Sequence, residues 1–259
     1  AEAETNARAL METLLQSPIP PNMRLLTDWQ QMKRMWEVRE SSLGVTSHVP
    51  GEPLRWEGWE DSAVAPDKLG NYLRDLRKLM QAYSYEGSFY GHFGHACVHT
   101  RMDFDLETEE GIKKFRRFME EAADLVVGYG GSLSGEHGDG QARAELLPRM
   151  FGPELVQAFR EFKAIWDPDW KMNPGKLVEP YKMDENLRLG ANYDPWQPQT
   201  HFQFPEDHGS LAAATLRCVG VGKCRRYEGG VMCPSFRVTR EEEHSTRGRA
   251  HLLWEMTQG

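Results

Sequence analysis

Between Asp67 and Tyr83, Leu69, Leu73, Leu76 and Leu79 recur every three or four positions, whereas between Val98 and Phe104 the pattern repeats every second residue. The first period is that of a helix with one apolar stripe, the second that of a strand with two distinct faces. In the strand, Val98, Thr100, Met102 and Phe104 share one face and His99, Arg101 and Asp103 the other. A chain carrying both periods must pack helices on a sheet. Further helical patterns run over Glu4–Gln16, from an Asp28 cap through Arg39, over Thr108–Val127 and over Pro153–Trp166. Pro18, Pro20 and Pro21 end the first of these, and Glu52–Glu60 reads as extended. Helices interleaved with few strands, without regular alternation or an internal repeat, give an α+β class. The expected tail is irregular and helical: Asp167–Asp207 is rich in Pro, Asn and aromatics, Leu211–Gly259 carries cysteines, and Thr239–Met256 reads as one helix.

The balance of charge excludes one large class of function. Thirty-one basic against 39 acidic residues leave a net charge of −8 over 259 residues, so no nucleic-acid partner is expected, since such a partner needs a clustered basic face. Hydrophobic residues are 39%, with eight Trp and eleven Phe, enough for a substantial core. Apolar runs such as Ala122–Gly128 fall far short of a bilayer's thickness. The chain starts without Met or a leader, and Ala1-Glu2-Ala3-Glu4 passes directly into a helical pattern, so it reads as a piece of a longer protein. Four cysteines and no secretion signal point to reduced thiols and a cytoplasmic setting, or a peripheral one at the inner membrane face.

Two segments carry the residues of chemistry. In Gly91-His92-Phe93-Gly94-His95-Ala96-Cys97-Val98-His99 three histidines fall within eight residues, and the glycines let the backbone bend so that His92 and His99 can point at one centre. A divalent cation needs such convergent donors; the alternative is a run of surface or satisfied core histidines. In Gly130-Gly131-Ser132-Leu133-Ser134-Gly135-Glu136-His137-Gly138-Asp139-Gly140 a Glu and a His sit among glycines. Glu136 would add the carboxylate that completes a metal site, and His137 would remain free as an acid or base. The alternative there is an ordinary flexible loop. Cys97 is expected to be a small buried thiol rather than a ligand.

Together these segments resemble the C-terminal domain of FAD-linked oxidases, the group of glycolate oxidase, D-lactate dehydrogenase and D-2-hydroxyglutarate dehydrogenase. The resemblance covers roughly residues 36–180. His92, His99 and Glu136 match the family's metal ligands, for zinc or manganese, and His137 its active-site histidine. Val38-Arg39-Glu40 is similar to a Val-Arg-Glu whose Arg grips the substrate carboxylate, a task suited to a forked guanidinium. Trp59-Glu60-Asp61-Ser62-Ala63-Val64-Ala65-Pro66 resembles a family strand. Met172-Asn173-Pro174-Gly175-Lys176 matches the Asn-Pro-Gly-Lys beside the flavin, so Asn173, Gly175 and Lys176 are the expected cofactor contacts. The family's Asp-Gly-Asn is His95-Ala96-Cys97 here, which leaves His95 as a possible extra ligand.

Cys218 and Cys224, followed by Cys233-Pro234, resemble the iron–sulfur segment fused behind this domain in long flavin/iron–sulfur oxidoreductases; a zinc knuckle or free thiols are the alternatives. A 4Fe–4S cluster needs four thiolates, so the set is incomplete here. The resemblance implies a ferredoxin-like antiparallel sheet with helices on one face. It implies a substrate-cap domain over 1–182, lacking the FAD-binding half, then a linker over 183–210 and the start of an iron–sulfur segment over 211–259. It also implies an enzyme that oxidises a D-2-hydroxy acid of the lactate, glycolate or 2-hydroxyglutarate type. Hydride would pass to FAD, and electrons on to iron–sulfur clusters and an unknown acceptor; this chain alone is expected to be inactive. A metal-dependent hydrolase using His92, His95, His99 and Glu136, and a non-catalytic electron-transfer module, are the competing readings.

Overall fold

The computed structural model describes residues 2–49, 51–230 and 232–258. The chain divides into two compact units, Ala1–Val45 and Thr46–Gly259. The first holds α1 (Glu2–Leu15) and α2 (Trp29–Glu40), neither with a buried residue. Asp28 caps α2 as its sequence position predicts, its carboxylate accepting the Gln31 N–H at 2.9 Å. A short helix, α3 (Ser42–Ser47), spans the point in the chain where the units meet.

The second unit is built on three antiparallel strands, β1 (Ser62–Ala63), β2 (Gly87–His92) and β3 (Cys97–Met102), in the order β1-β3-β2. The helix α4 (Leu69–Ala82) joins β1 to β2, and α5 (Glu109–Gly128) follows β3. Tyr72, Leu76 and Met80 of α4 meet Phe115, Phe118, Met119, Ala122 and Val126 of α5 in the core. Met102 of β3 joins them, so the helices cover one side of the sheet. The fold is α+β, as its periodicities predict.

Three elements differ from the expected pattern. The period-two segment is buried on both faces rather than one. Along the edge shared with β1, a chain segment runs beside it, bridged by Trp56 to Met102 and by the Thr100 N–H to the Glu60 carbonyl at 3.2 Å. The helix expected over Pro153–Trp166 is present but is preceded by a short one not expected: α6 (Leu147–Trp166) is two helices joined at a break at Gly152, φ 75°, immediately before Pro153. The helix expected over Thr239–Met256 starts only at Thr246, as α9 (Thr246–Gln258), and two short helices, α7 (Leu211–Leu216) and α8 (Pro234–Thr239), precede it. Arg240 turns left-handed at φ 66°, and Ser245 Oγ accepts the Gly248 N–H at 2.8 Å, the role of an N-cap that opens a new helix.

The compact unit runs through both expected boundaries, at 182 and 211. The Gly190 N–H donates to Leu106 O at 2.9 Å and the Trp196 N–H to Thr257 O at 2.7 Å. Among the described residues, no helix is long and apolar enough to cross a membrane.

Candidate active site

The site forms where β3, the end of β2 and the loop after α5 converge. Gly91, at φ 142°, leaves room that a Cβ would take only at 2.7 Å from the Cys97 carbonyl. The chain then makes a tight turn over Phe93–His95 and re-enters the sheet through Ala96, left-handed at φ 54°. This turn pairs His92 with Cys97 and sets His99 one pleat further along β3.

The loop after α5 is pinned to β1. Ala63 and Ser132 exchange backbone bonds of 3.1 and 2.8 Å, and the Gly135 N–H donates to Asp61 O at 2.7 Å. The Asp61 side chain is fully buried. It accepts the Ser134 hydroxyl at 2.7 Å, the N–H groups of Glu136 and His137 at 3.2 and 2.7 Å, and Arg143 Nη2 at 2.7 Å. Burial alone would raise its pKa, but these donors outweigh it and hold the carboxyl below its ordinary value. Arg143 also donates to Gly58 O and Gly138 O. One ion pair thus fixes the backbone that carries Glu136 and His137.

Three imidazoles surround one carboxylate oxygen. Glu136 Oε1 lies 3.0 Å from His99 Nε2, 3.4 Å from His92 Nε2 and 3.5 Å from His137 Nε2. His92, His99 and Glu136 each offer a ligand atom within 4.8 Å of the others, and so do Glu60, His99 and His137. The His99 and His137 rings stack at 4.9 Å, 8° from parallel. His95 stands on the exposed turn, its ring 6.4 Å from that of His92, and is not in either group.

The two inner histidines differ in charge preference. His99 Nδ1 is 3.1 Å from the Glu60 carbonyl, which can only accept, so Nδ1 carries the proton and Nε2 turns a lone pair toward Glu136. Burial pushes the His99 pKa down despite that hydrogen bond. His137 Nδ1 instead donates to the Glu60 carboxylate at 2.8 Å. Burial opposes its charged form, yet the Glu60 bond and charge prevail and raise its pKa. Cys97 is buried, donates to Asp61 O at 3.7 Å, and is pushed up to about 11, chiefly by burial.

Glu60, Asp61 and Arg143 received no role in the sequence. The adjacent carboxylates Glu60-Asp61 were legible as a pair, but only the fold shows that they support the two histidines from behind.

The residues expected to contact the flavin lie in a separate turn tied to the same loop. Asn173 is left-handed at φ 50° and Gly175 at φ 74°. Lys176 Nζ donates to Gln141 Oε1 at 2.5 Å, and the Leu177 N–H reaches Gly140 O at 3.5 Å. Arg39 stands in the first unit, on α2, its guanidinium 5.9 Å from the Trp36 ring centre. Cys224 and Cys233 share a small buried cluster with Phe236, and Cys218 lies just past α7, half-buried.

Comparison with known proteins bears on this arrangement. The family described as FAD linked oxidases, C-terminal domain, matches residues 1–177. The chain belongs to this family. D-2-hydroxyglutarate dehydrogenase of Pseudomonas putida is 32% identical over 240 residues, covering 89% of this chain and 23% of that protein. The enzyme of the same name from Haemophilus influenzae is 29% identical over 233 residues, 90% of this chain and 22% of its own length. D-lactate dehydrogenase of Archaeoglobus fulgidus is 36% identical over 129 residues, 49% of this chain and 28% of its own. The chain therefore spans under a quarter of the 2-hydroxyglutarate enzymes, but their likeness to it extends well past residue 177, where the family domain ends.

Proposed function

We propose that the chain forms the substrate-orienting wall of an FAD-dependent oxidoreductase for D-2-hydroxy acids, with a divalent cation, zinc or manganese, held by His92, His99 and Glu136. One observation carries the metal assignment. The His99 Nε2 lone pair and a carboxylate oxygen of Glu136 are 3.0 Å apart, and two electron-rich atoms at that distance need a positive centre between them. Burial disfavours a proton on His99, and an imidazole whose second nitrogen is anchored by a carbonyl is the usual form of a metal ligand. The donor set of two imidazoles and one carboxylate suits zinc or manganese with open positions.

Membership of the FAD-linked oxidases and similarity to 2-hydroxy-acid dehydrogenases support the reaction class. A cation there would supply Lewis acidity to the 2-hydroxyl, and the flavin would supply the hydride acceptor. His137 takes the hydroxyl proton, and Glu60 behind Nδ1 stabilises the imidazolium that results. Arg39 grips the substrate carboxylate. Asn173, Gly175 and Lys176 line the flavin side, linked to the catalytic loop through Gln141. Cys218, Cys224 and Cys233 are three ligands of a 4Fe–4S cluster that takes the electrons onward. The Thr246 hydroxyl bond, outweighing burial, holds the Cys233 thiol below its ordinary value, as a thiolate ligand requires.

Elemental analysis of the purified chain tests the assignment. About one equivalent of zinc or manganese is expected, as for a single site with three protein ligands, and it should be lost in a His92→Ala/His99→Ala variant. In the flavoenzyme that carries this chain, His99→Ala should lose metal and turnover together; turnover that persists without metal would overturn the scheme. Hydrolysis by the metal-loaded chain in the absence of flavin would favour the hydrolase instead.

A further inference from the structure

The first turn of α9 closes over Cys233. Thr246, its first residue, donates its hydroxyl to Cys233 Sγ at 3.6 Å. The backbone N–H groups of Phe236 and Thr246 face the same sulfur, and the positive end of the α9 dipole meets it there. Ser235 Oγ also comes within 3.9 Å of it. A hydroxyl has one proton to give, however, and that of Ser235 goes to the His244 carbonyl at 2.8 Å, while Arg249 Nη2 donates to the same Ser235 oxygen at 3.1 Å. Thr246 is thus the side-chain donor left to the sulfur.

Neighbouring contacts hold the turn in place. Ser245 is fully buried, and its Oγ accepts the Gly248 N–H at 2.8 Å. At Gly248 a Cβ would lie 2.1 Å from the Glu242 carbonyl, so only glycine lets the chain close this far. Glu242 pairs with Arg225 at 3.0 Å and with Arg247 at 3.6 Å. It thereby ties the residue after Cys224 to the residue after Thr246. The segment Ser245-Thr246-Arg247-Gly248-Arg249 is thus fixed against both cysteine loops, with one hydroxyl aimed at one sulfur.

We propose that Thr246 raises the reduction potential of the cluster bound by Cys218, Cys224 and Cys233, its hydroxyl donating to the Cys233 sulfur. The inference rests on the iron–sulfur reading above. The free thiol of Cys233 donates its own proton to the His244 carbonyl at 3.2 Å. As an iron ligand the sulfur has lost that proton and can only accept. One electron arriving from the flavin makes the cluster more negative and its ligand sulfurs better acceptors. A donor at that sulfur therefore favours the reduced form. Thr246 is a positioning residue, not a ligand: it acts on the electron through Cys233.

A redox titration of the flavoenzyme that carries this chain, followed by electron paramagnetic resonance of the reduced cluster, tests this. The signal that disappears in Cys233→Ala identifies the cluster concerned. Thr246→Val keeps the shape of the side chain and removes the donor, so iron and sulfide should be retained and the potential should fall. The expected shift is about a threefold to tenfold change in the one-electron equilibrium, roughly 30–60 mV. Thr246→Ser keeps the hydroxyl and should stay at the parent's potential. An unchanged potential in Thr246→Val, or one in Thr246→Ser as low as in Thr246→Val, would overturn the proposal. Should Thr246→Val lose the cluster, Thr246→Ala against Thr246→Ser makes the same comparison. A parent enzyme with no signal that depends on Cys233 would sink the iron–sulfur reading itself, and this inference with it, before any change at Thr246 is made.

Discussion

Replacing Glu60 with Gln keeps the shape of the side chain but removes the charge facing His137 Nδ1. Since that charge raises the His137 pKa against the pull of burial, the Glu60→Gln imidazole should titrate at lower pH, which NMR titration of the metal-free chain can follow. A His137 titration that does not move would mean that Glu60 is a spectator. Asp61 is the more consequential carboxylate. It and Arg143 are both buried, so Asp61→Asn removes the nearest counter-charge of a guanidinium that keeps only Glu60, 3.9 Å away, and two carbonyl acceptors, a loss of about 1–3 kcal/mol in denaturant unfolding. Because the folded Asp61 pKa is depressed, its stabilisation is present above the ordinary 3.8 and fades as pH falls through the folded value. The acid limb of the stability curve should therefore flatten in Asp61→Asn. If the variant unfolds in acid with the parent's slope, the ion pair does not hold the loop.

Among the elements, the turn at Gly175 is a sharp test of how Asn173 and Lys176 are fixed. A Cβ there would lie 2.1 Å from Tyr181 Cε2, at a left-handed φ of 74°. Gly175→Ala should cost about 1–3 kcal/mol through overpacking and should loosen the Lys176–Gln141 bond; unchanged thermal stability would contradict this. The helices α4 and α5 were legible from their stripes because a helix packed on one side must show its period, and Leu76 and Phe118 lie in the core they share. β2 was not, since Gly-Ser-Phe-Tyr-Gly-His has every residue half-buried and no alternation to read. The break at Arg240 also escaped, because a left-handed arginine leaves no mark in composition. His92, His99 and Glu136 could be picked out by type and spacing. Their supports, Glu60, Asp61 and Arg143, could not, because they act through contacts between segments more than seventy residues apart.

For the molecule as a whole, the tail and the sheet form one structure. A cavity beside Arg101 takes Arg188, Leu216 and Val219 from beyond the family domain, which ends at residue 177. Arg188 in turn lies 4.9 Å from the Trp254 ring of α9, and Trp196 is bonded to Thr257. Trp254→Ala should accordingly speed hydrogen exchange in residues 188–196 and in α9 while leaving α5 protected. Exchange that quickens nowhere outside α9 would show that the tail hangs on other contacts.

Ala96 carries a cost that the rest of the fold must cover. It makes, with a methyl group buried in the core, a left-handed turn that glycine would make without strain. The spacing of His92 and His99 thus depends on a bend that this residue does not favour by itself, and it is the packing around one methyl group that keeps the two imidazoles on the same side of the sheet.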